Sequence, residues 1–367
     1  MQRDYSLLGP DADRAIANGL VTEDWYKTPI DRKAMKSLMR RDDQPATRDC
    51  ILLFTLMAGF AGIAIALMPS WWALPFWLAY GVLYGSAMDS RWHECGHGTA
   101  FKTRWKNKLV YQIACFCMIR DPHCWKFSHA RHHSDTVIVG RDPEVAIMRP
   151  VIAVKLVANL FGLVDVWDGC RRMLCHAAGR ILPDEAVYVA PSFHAATIRT
   201  ARIWIALYVA TIAASLLFQS WIPLLLIGLP RLFGCWHMVM TGWLQHGGLS
   251  DNVLDHRLNS RTVEMNPVSR FIYWNMNYHV EHHMFPLVPY YRLPDLQQAC
   301  AHDFPAPNRS IRHAIGEMLP ALWRQRHDPD YHIRHPLPAT ATPYQDGPAK
   351  TAAAWHERQG ELHDQLG

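Results

Sequence analysis

The sequence predicts an all-α integral membrane protein: four transmembrane helices in two hairpins, with interfacial helices and a helical cap on one side. Three observations predict it. Hydrophobic residues make up 50% of the chain and are gathered into long uncharged runs. Of the 37 Lys and Arg, 36 lie outside those runs and outside the two tiny turns within the hairpins. Three groups of closely spaced histidines all fall in the polar segments between or after the hairpins.

Residues 1–49 carry charges of both signs, with Pro29 and Pro45 as breaks, and read as a cytoplasmic N-terminal segment. Their polarity does not fit a signal peptide. Asp24-Trp25-Tyr26 and Arg32-Lys33-Ala34-Met35-Lys36 suit either a short amphipathic helix on a membrane surface or a soluble lead-in packed on the core. The membrane domain is expected over 50–335. Residues 50–68 are uncharged and apolar, about the length that crosses a bilayer. Pro69-Ser70 makes the turn, and 71–88 is a second uncharged run opened by Trp71 and Trp72, which suit a membrane interface. The apolar stretch 109–119 is too short to span and reads as interfacial or half-inserted. Residues 151–167 are apolar but hold Lys155 and Asp165, the pattern of a helix lying in the interface. Runs 203–218 and 221–240 make the second hairpin around Gln219-Ser220. The last run is interrupted by Arg231 and His237, which should face the protein interior or a wet cavity. Residues 336–367, rich in Pro, Ala, Thr and Gln, are expected to be a flexible tail.

The basic residues set the orientation. They are absent from both turns, so the positive-inside tendency places the termini and all three histidine groups in the cytoplasm. If 109–119 crossed, the first two groups would lie on opposite sides and could not share a site. The net charge of +5, with no basic run, gives no footing for nucleic acid. Nine cysteines show no paired framework; Cys115/Cys117 and Cys170/Cys175 read as apolar fillers or free thiols in a reducing compartment.

The histidines carry the chemistry. His93-Glu94-Cys95-Gly96-His97 is H-x3-H, while His129-Ala130-Arg131-His132-His133 and His279-Val280-Glu281-His282-His283 are both H-x2-H-H. Residues three and four apart share a helix face, so each box aims two or three imidazoles at one region. Eight imidazoles exceed the four ligands of one tetrahedral zinc and suit two metal ions. A non-haem di-iron site is the leading reading, since imidazole suits iron. His246, in Leu244-Gln245-His246-Gly247-Gly248 just past the fourth run, is the candidate ninth ligand, with His237 as its competitor. His123, His176, His194, His256 and His302 read as core or solvated residues. Glu94, Asp142 and Glu281 are candidates for carboxylates that hold a ligand ring by its other nitrogen. Two rival readings remain. His93-Glu94-Cys95-Gly96-His97 also matches the zinc-protease pattern H-E-x-x-H, which would leave the other two boxes unexplained. A metal carrier would place its ligands at mid-membrane, where this chain offers only Arg231 and His237.

These residues resemble the membrane fatty acid desaturase superfamily over roughly 50–300. The first box resembles that of acyl-lipid desaturases. Trp125-Lys126-Phe127-Ser128 followed by His129 to His133 resembles the second, Asn277-Tyr278 through Met284-Phe285-Pro286 the third, and Leu244-Gln245-His246 the segment that supplies the extra ligand. The resemblance implies four spans, a cytoplasmic cap, two iron ions, O2 as co-substrate and two electrons from outside. The chain has no His-Pro-Gly-Gly haem motif, so a separate electron-transfer protein of ferredoxin type is expected. The run Ser134-Asp135-Thr136-Val137-Ile138-Val139-Gly140-Arg141-Asp142-Pro143-Glu144 also resembles a bacterial subgroup that includes rhizopine-catabolism hydrocarbon oxygenases and dihydrorhizobitoxine desaturase. A bacterial inner membrane is therefore the expected location. Desaturation of a fatty acyl lipid is the first reading of the reaction, and hydroxylation or desaturation of a smaller ether or amine is the alternative.

Overall fold

The computed structural model describes residues 3–345. Helices dominate these residues, and the extended contacts among them are two isolated bridges, Thr262–Tyr278 and Val263–Asn308.

Helix α1, Gln44–Leu67, is the first apolar helix. It starts six residues before the expected run, because Pro45 stands in its first turn, where a missing N–H costs nothing. Ser70 caps the next turn, and the chain is then helical from Trp71 onward: α2 (Leu74–Val82), a π-helical turn at Leu83–Ala87, and α3 (Met88–His97). The expected run 71–88 therefore leads straight into the first histidine box. Gly98, left-handed with φ 69°, ends α3. Helix α4 (Arg104–Met118) contains the short apolar stretch. At about 1.5 Å per residue its 15 residues fall well short of a bilayer core.

Helix α5, Pro122–Ser134, carries the second box. Its N-cap Asp121 accepts from the His123 and Cys124 amides, and Pro122 occupies the first helical position. The expected interfacial helix is two helices, Ala153–Asn159 and α6 (Leu163–Ala177). The break falls at Gly162, where φ is +67° and a Cβ would lie 2.8 Å from the Arg231 carbonyl oxygen. Val154, Val157, Phe161, Leu163 and Trp167 are exposed along this segment, as an interfacial position requires.

Helix α7, His194–Leu217, begins nine residues before the expected run. Its first turns are held from the side by polar bonds: Thr197 Oγ1 to Asp121 and Arg202 Nε to the Ala177 carbonyl. The last apolar run is helical in pieces, Ile222–Leu226, Pro230–Gly234 and α8 (Trp236–His246), broken where Gly228 takes φ 93° and Pro230 follows. The third histidine box is the short helix α9, His279–Met284.

Among the described residues, three helical stretches are long and apolar enough to cross a membrane: Gln44–Leu67, Pro191–Leu217 and Ile222–His246, the last with the break at Gly228 inside it. The last of them packs on α2 and the π-helical turn through missing side chains. A Cβ on Gly234 would lie 1.8 Å from the Gly81 carbonyl oxygen, and one on Gly85 would lie 2.9 Å from the Gly234 backbone, so small residues let these helices touch directly. Arg231 is fully buried and pairs with Asp165 at 3.1 Å, which explains a charge inside an apolar run. At the two turns Trp71, Trp72, Leu217, Phe218 and Trp221 are exposed, an apolar tip opposite the charged end.

The N-terminal segment packs as a strap on the cap. Tyr26 N donates to Leu254 O, and Tyr26 and Thr28 both donate their hydroxyls to Asp303. The beginning of the expected tail is also tied down. Arg257, buried and paired with Asp255 and Asp303, donates to the carbonyls of Thr342 and Pro343. Residues 346–367 of that tail lie outside the described residues.

Candidate metal centre

The nine expected ligands come together in two groups. His93, His97, His129, His133 and His282 each offer a ring nitrogen within 4.8 Å of the others; His132, His246, His279 and His283 do the same. Each H-x2-H-H box serves both groups. In α5 the i,i+4 pair His129 and His133 joins the first group and His132 the second. In α9 the i,i+4 pair His279 and His283 joins the second and His282 the first. One helix turn separates such a pair along one face, while the remaining histidine is rotated off that face. Both helices therefore stand between the two groups.

The contacts show what the rings are arranged for. Nε2 of His129 lies 3.0 Å from Nε2 of His97 and 3.2 Å from Nε2 of His133, and His133 Nε2 is 3.1 Å from His282 Nε2. In the other group His279 Nε2 lies 3.1 Å from His246 Nε2 and 2.9 Å from His283 Nε2. Facing Nε2 atoms present lone pairs to one another, and a neutral imidazole has only one N–H to give. A cation at each focus satisfies all of them at once.

Four of the opposite nitrogens are held. His132 Nδ1 is 2.9 Å from Asp142, His129 Nδ1 is 3.0 Å from Glu144, His246 Nδ1 is 2.7 Å from the Asn259 carbonyl, and His283 Nδ1 is 3.1 Å from Thr136 Oγ1. Each bond places the proton on Nδ1 and leaves Nε2 free as a ligand. Burial pushes the rings of His93, His129, His133, His279, His282 and His283 well below the ordinary histidine value and His97 to about 4, so these seven are neutral at pH 7. At His132 burial acts in the same direction, but the charge and hydrogen bond of Asp142 outweigh it and raise the value. The donor set, neutral imidazole nitrogens in two clusters, fits two borderline divalent ions.

The expected carboxylates divide. Asp142 holds a ligand ring. Glu94 and Glu281 do not: Glu94 accepts from Thr99 Oγ1 and the Tyr290 amide, and Glu281 accepts from Thr262. Each follows a histidine by one or two positions, a rotation of about 100° or 200° around the helix, which turns it away from the rings. Glu94 is thus not placed as the general base of a zinc protease. His237 bonds Ser269 and lies in neither group. Among the histidines expected to be core or solvated, His176 meets Glu185 at 2.7 Å near Cys124, and Glu185 also pairs with Arg172 at 3.1 Å. His256 is buried beside the centre, its ring centroid 5.3 Å from that of His283.

Glu144, Thr136 and Asn259 were not singled out by the sequence. Glu144 had a signal, since it stands two residues after Asp142 in the same acidic turn. Thr136 and Asn259 had none, because one is an ordinary hydroxyl and the other contributes a backbone carbonyl. Trp92 closes one side of the first group, its ring 5.2 Å from His129 and 5.0 Å from Trp125, and Arg120 lies 4.0 Å over Trp125.

Comparison with known proteins agrees with this geometry. The profile of the family described as Fatty acid desaturase matches residues 69–314. The chain is 25% identical over 304 residues to an acyl-lipid omega-3 desaturase (cytochrome b5) of the endoplasmic reticulum from Arabidopsis thaliana, covering 76% of this chain and 72% of that protein. It is 26% identical over 314 residues to an omega-6 fatty acid desaturase of the endoplasmic reticulum from Glycine max, covering 75% and 77%. A shorter match, 34% over 88 residues and 24% of each chain, is to an sn-1 acyl-lipid omega-3 desaturase (ferredoxin) from Synechocystis sp.. With the profile covering well over half of its length, this chain belongs to the fatty acid desaturase family.

Proposed function

We propose that the chain is an O2-dependent desaturase of fatty acyl lipids that works with two iron ions. The observation that carries this is the double focus of nine imidazoles in a chain of this family. His93, His97, His129, His133 and His282 would hold one ion; His132, His246, His279 and His283 would hold the other. Iron bound there supplies O2 activation and the removal of hydrogen from an unactivated C–H bond. One acyl CH2–CH2 unit, O2, two electrons and two protons give a CH=CH unit and two waters.

The protein's own residues do the rest. Asp142, Glu144, Thr136 and the Asn259 carbonyl keep protons on Nδ1 and fix the ring planes. Burial of the ligands excludes water, which protects a reactive centre from side reactions. The three relatives above are named for acyl-lipid or fatty acid substrates, which favours a lipid substrate over a small ether or amine. The electron donor is a separate protein. Relatives are named for both cytochrome b5 and ferredoxin, and the absence of a haem motif in this chain is compatible with either; a ferredoxin type is our reading for a bacterial inner membrane.

Four spans complete this reading: the three long apolar helices plus the helical run from Trp71, with termini and metal centre on the cytoplasmic side. The uncharged, aromatic turns and the 36 basic residues on the other side support it. The first and second spans would shape the acyl channel. Expression in a host followed by lipid mass spectrometry tests the function. New double bonds are expected; unchanged lipids in an iron-loaded enzyme with a working donor would refute acyl desaturation. A reporter fused after Ile119 should appear cytoplasmic, and a periplasmic signal would break the shared site.

A further inference from the structure

We propose that Trp25 and His256 carry electrons from the protein surface to the metal centre. The proposal rests on the iron-dependent reading above and deepens it by naming the point of entry. Trp25 is half-buried, so part of its indole reaches the surface. Its ring stacks on His256 with centroids 4.3 Å apart and planes 9° from parallel. His256 in turn lies 5.3 Å, centroid to centroid, from the ligand His283. Two ring-to-ring steps therefore join solvent to a metal ligand.

The placement is fixed, and Trp25 also packs on the small core of Ala15, Leu20, Ile138 and Leu254. Trp25 Nε1 donates to the Ser134 carbonyl at 3.0 Å, and its neighbour Tyr26 is bound to Leu254 through the backbone and to Asp303 through its hydroxyl. His256 is buried, is in neither metal group, and its Nδ1 has no hydrogen-bond partner. A buried imidazole normally satisfies both nitrogens; here the flat face of the ring is what is used. The other aromatic chain leaving the centre, Trp92 and Trp125, runs toward Arg120 and Asp89, next to the membrane helices. That leaves Trp25 as the aromatic exit on the strap side of the cap. A surface cleft of about 420 Å³ adjoins it through Ser134, lined by Val21, Phe127 and Tyr188 and by a charge-balanced set, Glu23 and Asp135 against Arg131 and Arg141.

The rings are not themselves reduced. Packed π-systems couple donor and acceptor better than a gap of the same length. Each transfer oxidises one reduced carrier by one electron and delivers that electron to the metal pair, and two transfers supply one turnover.

The test uses the full chain in detergent, loaded with iron in its oxidised form, under anaerobic conditions. Reduced [2Fe–2S] ferredoxin and reduced cytochrome b5 are each mixed with it in a stopped-flow instrument, and oxidation of the carrier is followed by its own visible absorbance. Reduced methyl viologen serves as the small-molecule control. Trp25→Phe, which keeps a ring, should react like the unsubstituted chain. Trp25→Leu should lose the fast phase with the carrier and keep its rate with viologen. Both variants are checked for iron content. Should Trp25→Leu fail to load iron, Trp25→Met, which fills the volume without a ring, takes its place. An unchanged fast phase in the ring-less variant overturns the proposal. Equal slowing with carrier and viologen overturns it too, since Trp25 would then act by supporting the site. If neither carrier reduces the unsubstituted chain, the entry route falls as well. If the unsubstituted chain binds no iron, the metal reading itself fails, and that is seen before any reductant is added.

Discussion

Replacing Asp142 by Asn should weaken one metal site and spare the other. Asp142 is fully enclosed and accepts three hydrogen bonds: His132 Nδ1 at 2.9 Å and the Val137 amide at 2.8 Å on one oxygen, and the Glu144 amide at 2.8 Å on the other. An asparagine has one acceptor oxygen and one NH2. Whichever way it turns, the NH2 faces an N–H and at least one bond is lost. A hydrogen bond to a charged group is worth about 1.5–3 kcal/mol, and loss of a carboxylate behind a ligand histidine costs roughly 10–100-fold in metal affinity. The expected outcome is a 10–100-fold weaker second ion, about 1.4–2.7 kcal/mol, with the first ion unchanged. Iron per chain, titrated against a chelator of known affinity, should fall in two resolved steps instead of one. Glu144→Gln is the partner experiment. Glu144 holds only Ser128 Oγ and His129 Nδ1, and a glutamine can serve both by accepting from the ring and donating to the hydroxyl. Its effect should be smaller and should fall on the first ion. Loss of both ions together in Asp142→Asn, or no loss at all, would refute the division into two groups.

Three further outcomes are expected. His246→Ala should remove one ion per chain, whereas His237→Ala, whose ring only meets Ser269, should leave iron content unchanged; elemental analysis of the purified proteins decides. Gly234→Ala should lower the thermal midpoint in detergent, because its Cβ would collide with the Gly81 backbone, a forced overpacking worth about 1–3 kcal/mol. Glu94 is buried, and burial lifts its carboxyl from 4.5 to about 7. The folded state therefore keeps a proton that the unfolded chain releases above about pH 4.5, and the resulting stability, full below that value, is lost as pH rises through 7. Glu94→Gln removes this loss, so its chemical denaturation midpoint should fall less than that of the unsubstituted chain between pH 5 and pH 8, by at most about 3 kcal/mol at 1.36 kcal/mol per pKa unit.

Much of the fold could be read from composition along the chain, and the departures have local causes. Apolar runs marked where helices exist because a lipid environment demands that every backbone group be satisfied within its own segment. They did not mark where helices begin. Helix α7 starts at His194 because Thr197 and Arg202 find partners on Asp121 and Ala177, contacts between segments that no local pattern announces. The interfacial segment broke in two at Gly162 for the same kind of reason, since the cause of the break is the distant Arg231 backbone. The beginning of the expected tail looked unstructured by composition, yet Thr342 and Pro343 are held through their carbonyls by Arg257, which side-chain patterning does not reveal.

The site shows the same division with more consequence. The clustering of the histidines was legible because helical spacing is a local property, and so was the single His246 beside the end of an apolar run. Their distribution was not, although the spacing contains it. In H-x2-H-H the outer pair shares a face and the inner histidine leaves it, so a helix with this pattern is built to stand between two ions rather than to cap one. Helix α5 gives its pair to the first group and its odd ring to the second; α9 does the reverse. To that balanced arrangement α3 adds the pair His93 and His97 on one side, and α8 adds only His246 on the other. The second group is therefore one ligand short of the first, and it depends more on the bonds that hold its rings: Asp142 on His132, the Asn259 carbonyl on His246, Thr136 on His283. That imbalance is the structural reason to expect the second ion to be the more weakly held of the two.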